Sequence, residues 1–147
     1  MRPRETAILC CFAIMALLAT GCETESAAPL QAENARLRAL IPGQDKTVGY
    51  FDLSNSSAVP VTLIRAESEH VRAIEFHTTS MDDGIMRMRR RSTVTVPPAT
   101  TIHFQPGGDH LMLFGVRSLE QKNPIRLIFE DDTMLLVEFR QIPIGEQ

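Results

Sequence analysis

Residues 75–89 read EFHTTSMDDGIMRMR, and on either side of Asp83-Gly84 the residues alternate in character one by one. Asp-Gly is a strong signal for a two-residue hairpin loop, because a type I′ turn needs positive φ at both central positions and these residue types supply it at least steric cost. With those two residues as the loop, Met81 faces Met86 and Thr79 faces Met88. Side chains on a strand repeat every two residues, so His77, Thr79, Met81, Met86 and Met88 project from one face of the ribbon. His77 and Met88 are then diagonal neighbours about 7–8 Å apart at the backbone, a gap that long side chains close.

The same period extends outward. Short alternating runs recur between turn signals: ARLRAL, TVGYFDLSN, VTLIRAES, AIEFHTT, GIMRMR, STVTV, TIHFQ, HLMLFGV, PIRLIFE and MLLVEFRQI. The punctuators are PGQ at Pro42, NSS at Asn55, DDG at Asp82, PPA at Pro97, PGGD at Pro106 and EDDT at Glu130. This is the pattern of an all-β sandwich or barrel, not of strands alternating with helices. Ile125, Leu127 and Phe129 alternate before EDDT, and Leu135, Val137 and Phe139 alternate after it, which predicts a closing hairpin with one buried face.

The 147 residues suffice for one domain with a genuine core. Residues 1–21 differ from the rest. Arg2 and Arg4 precede an apolar run of about a dozen residues, too short for the roughly 20 that a spanning helix needs, so this is a cleaved export leader. Its ending, LATGC, resembles a bacterial lipobox with Ala19 where leucine is commonest, which makes Cys22 the expected lipidation site. Residues 22–33 are expected to form the anchor cysteine and a linker, 34–142 the folded domain, and 143–147 a short tail. The protein is expected in the periplasm, held to a membrane through Cys22. Loss of the leader leaves the chain one unit more acidic than its net charge of −3, and there is no Trp. No nucleic-acid partner is expected from such a surface.

All three cysteines, Cys10, Cys11 and Cys22, lie in the leader or at its end. The domain therefore has neither a disulfide nor a thiolate to offer a metal. A strand entered through the turn at Pro106 to Asp109 would present His110 and Met112 from one face, able to join His77 and Met88. Two imidazoles with two soft, un-ionised thioethers favour Cu(I) over Mg²⁺ or Ca²⁺, and zinc sites rarely use methionine. A blue-copper electron-transfer centre would need a cysteine beside its histidines.

His77, ten residues, Met88, twenty-one residues, His110, one residue, Met112: this spacing matches at all four positions the signature of the periplasmic PCu(A)C copper chaperones, which the chain closely resembles. The blocks ARLRALIPGQDKTVGYFDLSN, EFHTTSMDDGIMRMR and FQPGGDHLMLFGV also read like successive blocks of that family. The resemblance implies a cupredoxin-like β-sandwich carrying one Cu(I) on His77, Met88, His110 and Met112. It further implies delivery to a cytochrome oxidase subunit bearing CuA, or exchange with another copper chaperone. Some members carry a His- and Met-rich tail for a second copper; this chain ends QIPIGEQ, so one site is expected.

Met86 shares the proposed face and is a possible substitute ligand, with Met81 a weaker candidate, since methionine more often fills a core. His103 alternates with Ile102 and Phe104 and should face away from them, while His70 sits in a polar loop; neither fits the signature. Arg87, Arg89, Arg90 and Arg91 read first as a solvated edge strand and second as a docking patch. Asp82 and Asp83 belong to the turn. No catalytic triad or phosphate-cradling loop is evident, so no enzyme is expected. Two other functions stay open: a copper-sequestering lipoprotein without a delivery partner, and an envelope interaction module whose His and Met only pack.

Overall fold

A computed structural model describes residues 28–146. The expected leader, Cys22 and most of the expected linker lie outside the described residues. Ten strands follow one another: β1 (Leu30–Arg38), β2 (Lys46–Asn55), β3 (Val61–Glu67), β4 (Val71–Asp82), β5 (Ile85–Arg91), β6 (Val94–Val96), β7 (Thr100–Phe104), β8 (Asp109–Val116), β9 (Lys122–Phe129) and β10 (Met134–Ile142). Each corresponds to one of the alternating runs, and among the described residues there is no helix.

The strands join edge to edge in the order β5-β4-β8-β7-β2-β1-β10-β9-β3-β6, with β8 also pairing β2. This continuous sheet folds on itself as a cupredoxin-like β-sandwich. β1 runs parallel to β10, bringing the two ends of the domain side by side, and β9 and β10 form the expected closing hairpin. Within the sandwich the Phe51 and Phe104 rings stack at 4.2 Å, and Phe139 meets Phe51 edge-on at 5.5 Å. These rings tie β2, β7 and β10 together with Leu37, Leu53, Leu111, Leu113, Ile125 and Leu127, all fully buried.

The start of the domain corrects one expectation. The linker expected over 22–33 is already sheet from Leu30, which is buried and pairs with Asn55. A bulge between Glu33 and Arg36, with Asn34 at φ 53°, is the reason. Inward positions fall on Leu30 and Ala32 before it and on Ala35 and Leu37 after it. The change of parity breaks the period of two, so the first half of β1 does not read as a strand.

The outward face of β2 explains one histidine. Asp52 accepts hydrogen bonds from Asn34 Nδ2 at 2.6 Å and from His103 Nδ1 at 2.7 Å, clasping the β1 bulge and β7 to β2. Phe104 points into the core and His103 away from it, as the alternation requires. Desolvation raises the Asp52 carboxyl, but the hydrogen bonds from Asn34 and His103 and the charges of His103 and Arg36 outweigh it and hold the group below its ordinary value. A depressed folded-state pKa adds stability above the unfolded carboxyl value that is lost as pH falls through the folded one. Asp52→Ala is therefore expected to cost about 0.5–1 kcal/mol at pH 7, the size of a partly exposed pair. In urea unfolding, the gap from wild type should close as the pH is lowered toward 3 and below; a constant gap would mean that packing, not charge, is lost.

Candidate metal centre

Asp83 and Gly84 both have positive φ, 52° and 76°, and form the two-residue loop between β4 and β5. The register follows: Met81 opposes Met86, Thr79 opposes Met88, and His77 opposes Arg90. On the other side of β4 runs β8, antiparallel, with Phe76 opposite Leu111, His77 opposite His110, and Glu75 opposite Met112. Phe76 and Leu111 are buried in the core. Their neighbours point the other way, so His77, Met88, His110 and Met112 share one outward face across three adjacent strands, β5-β4-β8.

The two imidazoles stand with ring centroids 5.9 Å apart and planes at 39°. Each is held through one nitrogen. His110 Nδ1 lies 3.0 Å from the Gly108 carbonyl, which also accepts the Thr79 amide. His77 Nε2 lies 2.9 Å from Glu75 Oε2, and Glu75 Oε1 is itself 3.5 Å from Arg90. A carbonyl or a carboxylate can only accept here, so Nδ1 of His110 and Nε2 of His77 carry the protons. The remaining nitrogens, His110 Nε2 and His77 Nδ1, are buried without any hydrogen-bond partner. An unpaired buried lone pair is costly, and two of them on facing rings make this pair a candidate for holding a metal.

Exposure is graded across the face. His110 is 4% exposed and the His77 side chain 15%, while Met88 is 54% exposed. Met112 is half-buried and lines a groove of about 220 Å³ with Val48, Ile41, Lys46 and Ile144. A larger cavity, about 560 Å³ at the β3–β4 turn around His70, shares no residue with the cluster. Among the described residues no three His, Cys, Asp or Glu side chains come together as a metal site.

Sequence reasoning missed Glu75 and Arg90. The signal was present, since Glu75 lies two residues before His77 and so on the same face, but only the β4–β5 register shows Arg90 opposite His77 and beside the carboxylate. The arginine run behaves as a solvated edge. β5 is the last strand of the sheet, Arg89 pairs with Asp82 at 3.0 Å, and Arg91 with Asp109 at 2.8 Å.

The family model described as "Putative lipoprotein LpqE-like" matches residues 30–140. The chain belongs to the LpqE-like family. A curated relative, "Putative lipoprotein Lxx21020" of Leifsonia xyli subsp. xyli, is 30% identical over 93 residues, 60% of this chain and 56% of the relative. The chain thus spans just over half the length of that relative. Among solved structures, the copper-bound PCuAC domain from PmoF2 superposes with a TM-score of 0.68 at 22% identity, covering 79% of this chain and 94% of that one. The Cu(I) form of DR1885 from Deinococcus radiodurans gives 0.61 at 27% identity, over 83% and 84%. The LpqE-like chain therefore has the PCu(A)C fold that its sequence resembles.

The tautomers are directly measurable. Nitrogen NMR of the metal-free protein is expected to show His110 protonated at Nδ1 and His77 at Nε2. In Glu75→Ala, His77 should populate both tautomers while His110 is unchanged; a His77 signal unaffected by the substitution would mean that Glu75 does not orient the ring.

Proposed function

We propose that this chain is an extracytoplasmic Cu(I) metallochaperone, tethered to a membrane through a lipidated Cys22, that delivers copper to a cytochrome oxidase subunit for assembly of CuA. The observation that carries the reading is the pair of orphaned ring nitrogens on facing histidines, flanked by two thioethers. One Cu(I) is held by His77 Nδ1, His110 Nε2 and the sulfurs of Met88 and Met112. The protein acts as a carrier and not as an enzyme. The copper-bound PmoF2 domain and Cu(I)-DR1885 support copper as the cargo.

The donor set suits this cargo. Thioether is soft and stays unprotonated at every pH, so it selects Cu(I) without releasing a proton. The histidines add stronger, oriented donors, locked by Gly108 on one side and by Glu75 with Arg90 on the other. The cluster reaches the edge strand β5 through Met88, which is 54% exposed, and this lets a recipient's ligand approach before the carrier's own ligands let go.

Purified protein titrated with Cu(I) against a chromophoric chelator should take up one tight equivalent. His110→Ala and Met88→Ala should each weaken it by more than about 10-fold, the lower bound for losing even an orienting partner of a ligand. No binding, or unchanged affinity in both variants, overturns the reading. A deletion strain separates delivery from sequestration: oxidase deficiency at low copper supports delivery, whereas copper sensitivity with normal oxidase shows a storage lipoprotein.

A further inference from the structure

Four residues complete the proposed centre, yet two more thioethers stand on the same face without a role. Met81 and Met86 oppose each other directly beside the Asp83-Gly84 loop and are 63% and 67% exposed. After a two-residue loop, the second cross-strand pair is a non-hydrogen-bonded one, the position where opposed side chains approach most closely. Met88 follows two residues further along β5, also facing β4 at such a position. Successive residues on one face of a strand are about 7 Å apart, a distance that adjacent methionine side chains bridge.

The choice of residue is informative. On this face of the β4–β5 ribbon the exposed apolar side chains are Met81, Met86 and Met88, whereas the aliphatic Ile85 projects from the opposite face. A surface built only for apolar docking has no reason to be thioether throughout. Of the methionines beyond the leader, only Met134 at the start of β10 lies away from this face.

We infer that Met81 and Met86 form an outer, transient binding site for a soft monovalent ion, through which Cu(I) enters and leaves the His77–His110 centre by way of Met88. The inference rests on the Cu(I) reading above and adds to it a path. Copper stays Cu(I) throughout: along the thioethers one Cu–S bond forms as another breaks, at the centre Cu–N bonds to the free ring nitrogens form as outer Cu–S bonds break, no electron moves, and no proton is released because neither donor atom carries one. The outer pair lacks the imidazoles, so it binds more weakly than the centre and empties into it.

The test uses Ag(I), a soft monovalent probe that does not undergo oxidation under these conditions, with the protein labelled at its methionine methyl carbons. The first equivalent should shift the methyl signals of Met88 and Met112. Excess Ag(I) should then shift Met81 and Met86 together, with Met134 unmoved. Met81→Leu/Met86→Leu keeps the apolar surface and removes both sulfurs. It should retain the first equivalent, lose the second phase, and accept Cu(I) several-fold more slowly from a methionine-ligated donor peptide in stopped flow. A leucine variant loading at the wild-type rate would overturn the outer site, as would Met134 titrating in parallel with Met81 and Met86. If the first equivalent leaves Met88 and Met112 unmoved, the Cu(I) centre itself is wrong and the outer pair goes with it.

Discussion

Everything on the face that carries His77 and His110 depends on the register of β4 against β8, and that register is pinned from the other side of the sheet. Phe76 and Leu111 face each other inside the core. Their burial forces His77 and His110 to face each other outside it, because successive side chains alternate. A slip of one residue would turn the histidines inward and expose Phe76, which the hydrophobic effect forbids at a cost of about 1.5–3 kcal/mol for a side chain of that size. Gly49 supports the same arrangement. It lies opposite Leu111 on β2, and a Cβ there would come within 2.8 Å of the Leu37 side chain. The absence of a side chain lets Leu37 close over Leu111, so core packing holds the strand that carries His110 and Met112, two of the four proposed donors.

Three histidines on this sandwich show how context separates a clasp from a donor. His103 is exposed and spends Nδ1 on Asp52, joining β7 to β2, with its ring in solvent. His77 and His110 are also each hydrogen-bonded through one nitrogen, but their second nitrogens are buried and unmatched. The difference is the burial of the free lone pair. Solvent satisfies the second nitrogen of His103 at no cost, whereas the inner two keep a penalty that the proposed ion would remove. The fold tolerates that penalty because Gly108 and Glu75 fix both rings, so neither can rotate to find a protein partner.

The strand count and the hairpin at Asp83-Gly84 were legible in the sequence, because alternation and turn chemistry are local. From them followed the shared face of His77 and Met88. The pairing of β4 with β8 was not legible, since it depends on which non-local edges meet, and no local pattern encodes that. Spacing alone brought His110 and Met112 into the set; only the sheet order puts them one strand from His77. Glu75 was overlooked for a related reason: a carboxylate on the outward face of a strand reads as surface charge until Arg90 and the His77 ring are seen around it. The first half of β1 was hidden by its own bulge, which shifts the inward positions from even to odd numbers.

The gradient of exposure across the face is itself a physical argument about exchange. An ion sunk among fully buried ligands would leave only by local unfolding, and this part of the sheet, paired on both edges of β4 and β8, does not open cheaply. Here the best donors are also the most buried, His110 and His77, and the thioethers become progressively more exposed toward the hairpin tip. An incoming ligand therefore meets sulfur first and imidazole last, and each exchange replaces one weak bond at a time. Under the proposed Cu(I) role, the rigid histidine pair would set how tightly the ion is held, and the flexible methionines, with three rotatable bonds each, how fast it moves. The proposed role thus divides affinity and exchange rate between different residues of the same face.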